Sequence, residues 1–197
     1  MSEWFEPVSS LPLEQGDFVR DLNIYVQDSP EESHDPDDDV PALLEEVPLS
    51  VVISQSCDLE PQPGEEYALL CHVRTMANIS RAVGKTKAGG IWENAKKNRS
   101  FLYFALPECS VPTWGMPVSV VDFRRIFEVK IERLQELCVA RAPWLRLCSP
   151  YREQLAQEFA RKVMRVALLV DERPAWDDIS ASMPAKDTSV TAGGTPP

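Results

Sequence analysis

Histidine is scarce in this chain, with only His34 and His72, and its five cysteines form no C-x-x-C pair, which leaves no ligand set for a zinc site. The cysteines are odd in number and irregularly spaced, so a disulfide framework is not expected and the thiols read as reduced. No apolar run nears the roughly 18 residues that a bilayer span needs. The opening M-S-E-W-F-E-P lacks a basic stretch ahead of an apolar one, so the expectation is a cytoplasmic chain with no membrane contact. Gly84-Lys85-Thr86 has the ending of a phosphate-binding loop, but Ile79 stands where its first glycine belongs, which excludes a P-loop NTPase. Asp35, Asp37, Asp39 and Glu46 match acidic positions of an EF-hand loop. Val40 replaces its turn glycine, and Pro36 and Pro41 interrupt it, so neither metal nor cofactor is expected.

Basic residues are nearly absent from the first 70 positions, where Arg20 alone stands against 18 acids. The other 19 bases share the rest of the chain with 13 acids, so a sequence pI near 4.7 is compatible with a local basic surface. The acidic part reads either as a plain surface loop or as a segment that competes for that surface.

The strongest strand signal is V-P-L-S-V-V-I-S, Val47 to Ser54, an apolar run bounded by turn formers. It leads into the polar group Gln55, Ser56, Cys57 and Asp58. Further strands are predicted over Gly16 to Gln27, Glu66 to Thr75, Phe101 to Leu106, Val118 to Val121 and Arg125 to Ile131. Residues 28–46 read as an acidic loop and 76–100 as a flexible basic loop, with a turn or two of helix over Ile91 to Lys97. Glu132 to Arg141 is predicted helical. Ser149 to about Leu168 follows as a second helix, with Ser149 as N-cap and Leu155, Phe159, Val163 and Val166 in one apolar stripe. Its basic face is either solvated or a partner surface. The domain reading is an extension over 1–15, one mainly β domain over 16–170 and a disordered tail over 171–197. Short strands followed by helix predict a small, strongly bent barrel with one or two C-terminal helices.

The order of these pieces resembles the MazF/PemK-like toxins. The family's opening Gly-Asp strand is matched by Gly16-Asp17-Phe18-Val19, and its Arg-Pro-x-x-Val-x-x-Ser strand by Val47 to Ser54. Its Ser-x-Val-Asp segment is matched by Ser119-Val120-Val121-Asp122, with Ile126 and Val129 to Leu134 following. The likeness runs from Gly16 to Leu134 and implies an SH3-like barrel in a bacterial toxin–antitoxin or phage-defence setting. In the family members that cut RNA, an arginine precedes the proline; here Val47 stands there. Losing a donor that offsets transition-state charge costs about 3 kcal/mol of barrier. The resemblance therefore implies a barrel without the usual cleavage, acting as a nucleic-acid- or protein-binding module, alone, as a homodimer or in a hetero-complex.

The alternative is an active endoribonuclease with a rearranged site drawn from Cys57, His72, Arg74 and Thr75. Thr75 approximates the family's second catalytic residue, and Arg74 would replace the lost cation. Cys57 and His72 would approach if their strands pair antiparallel, making a thiolate nucleophile; otherwise Cys57 is a small buried residue. For nucleic acid, RNA more than DNA, the candidates are Arg81, Lys85, Lys87, Lys96, Lys97 and Arg99 for phosphates and Trp92 for stacking on an unpaired base.

Overall fold

A computed structural model describes residues 4–27, 42–60, 66–112 and 114–164. The strands are β1 (Phe5–Val8), β2 (Asp17–Gln27), β3 (Ala42–Val52), β4 (Tyr67–Thr75), β5 (Tyr103–Leu106), β6 (Ser119–Lys130) and β7 (Trp144–Leu147). The helices are α1 (Met76–Val83), α2 (Lys85–Lys96), α3 (Ile131–Ala140) and α4 (Tyr151–Val163). All strands join one antiparallel sheet in the order β1-β7-β2-β3-β4-β6-β5. The mainly β reading therefore holds, with two helices in the C-terminal part.

The sheet is not closed into a barrel: β1 and β5 are its two edges. They meet through side chains instead of a hydrogen-bonded ladder. Trp4, just ahead of β1, lies 6.4 Å from Phe104 of β5 and stacks on Tyr151 of α4 at 3.6 Å. Rings of this size hold two edges further apart than the roughly 4.8 Å that strand pairing requires.

One face of the sheet carries Phe18, Val51, Cys71, Phe104 and Val121 into the main core, which Ile131 and Leu134 of α3 and Leu155 of α4 complete. Burying each such side chain contributes about 1.5–3 kcal/mol. The opposite face carries Tyr103, Ala105 and Val120, and a second, smaller cluster forms there with Ile79, Ala88 and Ala95 of the two short helices.

Four expectations are corrected. Residues 1–15 are not an appendage, since Phe5 and Leu13 are in the core and β1 pairs with β7. The predicted strands around Asp122 are one strand, β6, interrupted by a bulge. Cys71 pairs with Ile126 but His72 pairs with Asp122, so Phe123, Arg124 and Arg125 have no partners on β4. The basic loop over 76–100 is a helical hairpin. Gly84, at φ 84°, both ends α1 and starts α2, and Thr75 caps α1 by accepting the Asn78 N–H at 3.1 Å. α4 starts at Tyr151 with Pro150, not Ser149, at its cap position.

β7 was not expected, because Arg146 breaks the apolar pattern of W-L-R-L. Its guanidinium is buried against Asp17, with bonds of 2.5 and 2.8 Å, and also reaches Glu14 at 2.6 Å. Burial pushes the Asp17 carboxyl up from its ordinary value, and the hydrogen bonds from Arg146 oppose that shift. The acidic loop expected over 28–46 is cut short by β3, which begins at Ala42 and pairs with β2 from there; residues 28–41, the end of the expected C-terminal helix and the tail over 171–197 lie outside the described residues.

Candidate nucleic-acid interface

The α1–α2 hairpin gathers the cations the sequence nominated. Arg81 is in the last turn of α1 and Lys85 in the first turn of α2; Lys96 ends α2, Lys97 caps it and Arg99 follows. Glu93 is the only acid between Met76 and Ser100. It pairs with Lys96 at 2.8 Å and Lys97 at 3.3 Å, and these bonds hold its carboxyl below the ordinary value. Arg81, Lys85, Lys87 and Arg99 are exposed and have no ion partner among the described residues.

Helical spacing puts Lys85, Gly89, Trp92 and Lys96 on one side of α2, about 16 Å from first to last. Gly89 places no side chain between Lys85 and the indole, and its surroundings are open. Trp92 is half-buried and separates two clefts. One, of about 290 Å³, contains Lys85 and Gly89; the other, of about 300 Å³, contains Lys96 and Trp4.

The four catalytic nominees do not assemble into one site: His72, Arg74 and Thr75 lie near the end of β4, and Cys57 lies apart. Val47, at the family's arginine position, is fully buried in the main core. Cys57 sits in a 3-10 turn, Ser56–Leu59, beyond the end of β3, while Ser50 is the residue opposite His72. Cys57 is exposed and its thiol meets Asp58 at 3.2 Å; that hydrogen bond raises its pKa, the wrong direction for a thiolate nucleophile. Thr75 is committed to capping α1.

β4 begins beside the Cys57 turn, where Ser54 Oγ accepts the Leu69 N–H, and ends at α1. The polar end of the β3 segment and the basic hairpin are thus at opposite ends of β4, roughly 20 Å apart along it. The antiparallel order of β3 and β4 therefore keeps Cys57 and Asp58 away from the cations of the hairpin.

His72 and Arg74 do come together, on the outer face with Asp122. Arg74 meets the Asp122 carboxylate at 3.4 Å, and Arg124 binds both of its oxygens at 2.9 and 2.8 Å. Arg124 also donates to the Tyr103 hydroxyl and lies over its ring. Burial works against charge on Asp122, but the bonds from Arg124 and Arg74 outweigh it and the carboxyl sits below its ordinary value. His72 packs edge-on against Phe127, and burial lowers its pKa. It opens on a surface groove of about 610 Å³ that also holds Tyr67 and the Arg125–Glu45 pair.

Sequence reasoning missed Arg124, Tyr103 and Trp4. Asp122 was visible as a motif residue, but nothing in the sequence marked the bulge in which Arg124 lies. Comparison with family models, with curated proteins and with solved structures finds no match for the chain. Among the described residues no helix is long and apolar enough to cross a membrane.

Proposed function

We propose that this is a nucleic-acid-binding module of MazF/PemK-like type, bent toward an SH3-like barrel, that engages a single strand, RNA before DNA, through the α1–α2 hairpin. The observation that carries the reading is the set of four exposed cations on or just after the hairpin, Arg81, Lys85, Lys87 and Arg99, which have no ion partner among the described residues, on the same hairpin as the half-buried Trp92. Unpaired cations release condensed counterions when they meet phosphates, and an indole supplies a stacking surface indifferent to sequence. The resemblance supports a setting in a bacterial toxin–antitoxin pair or phage defence. Fluorescence anisotropy with a labelled single-stranded RNA tests the reading, with a duplex of the same sequence as comparison. Binding of the single strand in preference to the duplex is expected. Absence of binding to either would remove the reading and leave a protein partner.

The cleavage alternative rests on His72 and Arg74, which flank Asp122 on one sheet face. It requires turnover of RNA that His72→Ala or Arg74→Ala abolishes. An intact substrate after prolonged incubation with the full chain would end it.

A further inference from the structure

The gap between the two sheet edges contains a cleft whose lining has the composition of a base-binding pocket. Its volume, about 300 Å³, is at the small end of the range for small-molecule sites. Trp4 and Trp92 stand in its wall with Phe104, and Lys96, Asn98 and Gln154 bring the polar groups. Trp4 is held by its stack on Tyr151, with the rings 9° from parallel, and by the bond from the Cys148 N–H to its carbonyl.

The position of Asn98 follows from how α2 ends. Asn98 has φ 51°, its N–H bonds to the Ala95 carbonyl at 3.0 Å, and the Arg99 N–H bonds to the Asn94 carbonyl at 2.8 Å. This is a Schellman termination, in which glycine is the usual left-handed residue and asparagine the second choice. Glycine would end the helix equally well, so the amide at this position is available for something other than capping.

We infer that this cleft receives one unpaired nucleobase of the bound strand. Trp92 and Trp4 contact the base, the Asn98 and Gln154 amides meet its donors and acceptors, and Lys96 meets the adjoining phosphate. Amides offer both donors and acceptors, which suits the edges of bases. Lys96 lies on the same side of α2 as Lys85, and Glu93, the only acid in the sequence between Met76 and Ser100, is already paired with Lys96 and Lys97. A duplex keeps its bases stacked and paired, so the pocket selects single strands. The inference rests on the hairpin reading and deepens it.

Two arms test it. In the first, indole N–H signals in nitrogen-15 NMR spectra are followed while adenosine or uridine 5′-monophosphate is added, with ribose 5-phosphate as the base-free probe. The Trp92 and Trp4 signals are expected to move with the mononucleotides only. Those of the buried Trp114 and Trp144 should stay in place. In the second arm, a short RNA is compared with an abasic strand of equal length. The base-bearing strand is expected to bind roughly tenfold tighter. Trp92→Leu should erase that difference while leaving abasic binding intact. Asn98→Gly, which preserves the helix end, should reduce it, and serves in place of Trp92→Leu if that variant does not fold. Equal, salt-dependent binding of both strands overturns the pocket and leaves the hairpin reading standing. Indole shifts with mononucleotide but no binding of either strand uphold the pocket and overturn the hairpin. Shifts that ribose 5-phosphate reproduces, or none at all, overturn the pocket.

Discussion

Asp122 and Arg124 lie two residues apart in one strand, yet the guanidinium of the second grips both carboxylate oxygens of the first. Arg124 lies in the bulge, where it has no partner on β4. The pair, with Arg74, fixes β6 against β4 at the base of α1. Asp122→Ala would leave both arginines without their carboxylate. Because they are partly exposed, the cost should be about 1–3 kcal/mol, below that of breaking a fully buried pair. Urea denaturation measures it. The lowered Asp122 pKa adds a sign: its contribution is complete above the ordinary value of 3.8 and is lost as pH falls through the folded value.

His72 should make stability depend on mild acid. The unfolded chain takes up a proton as pH falls below the ordinary value of 6.5, while burial keeps the folded ring neutral to lower pH. Asp122 and Glu45 favour the charged ring, and Arg125 and Arg74 oppose it. Stability is therefore lost as pH drops from 6.5 toward the folded pKa, and the group contributes nothing above that range. Denaturation midpoints of the wild type and His72→Gln, measured across this window, should show a shallower fall in the variant. Parallel curves would show that His72 titrates alike in both states.

Gly84 sets the hairpin. Its φ of 84° is unfavourable for any residue with a Cβ, although a Cβ there would meet nothing within 4 Å. With ψ at 155° the residue lies in a region essentially reserved for glycine, so Gly84→Ala should cost about 1–3 kcal/mol through the backbone alone. It should also weaken nucleic-acid binding more than it lowers the melting temperature, because the second cluster under the hairpin is separate from the main core. An unchanged melting temperature and affinity would show that the hairpin tolerates a different connection.

The sheet was largely legible where strands are uninterrupted. Val51 and Val52 signalled β3 as part of a continuous apolar run bounded by turn formers, and Leu155 and Phe159 signalled α4 by recurring at helical spacing. β7 escaped since Arg146 looks like a surface residue until Asp17, over a hundred positions away, is seen beside it. The hairpin escaped because Gly84, Gly89 and Gly90 carry poor helix propensity. Packing of Ile79, Ala88 and Ala95 onto Tyr103 and Val120 overrides that propensity. Trp92 and the cations of the candidate site were visible as composition. The placing of Lys85, Trp92 and Lys96 on one side of a helix, and the pairing of Trp4 with the same cleft, depend on secondary and tertiary structure that composition does not encode.

The most direct test of the central claim is the salt dependence of single-strand RNA binding by the full chain and by a variant with Arg81, Lys85, Lys87 and Arg99 all changed to glutamine. The four phosphate contacts contribute about −3 to the slope of log affinity against log salt, so the variant should lose most of the slope and keep only the roughly −0.7 that Lys96 supplies. A wild-type affinity indifferent to salt, or a variant that binds as tightly and as steeply as the wild type, would contradict the account.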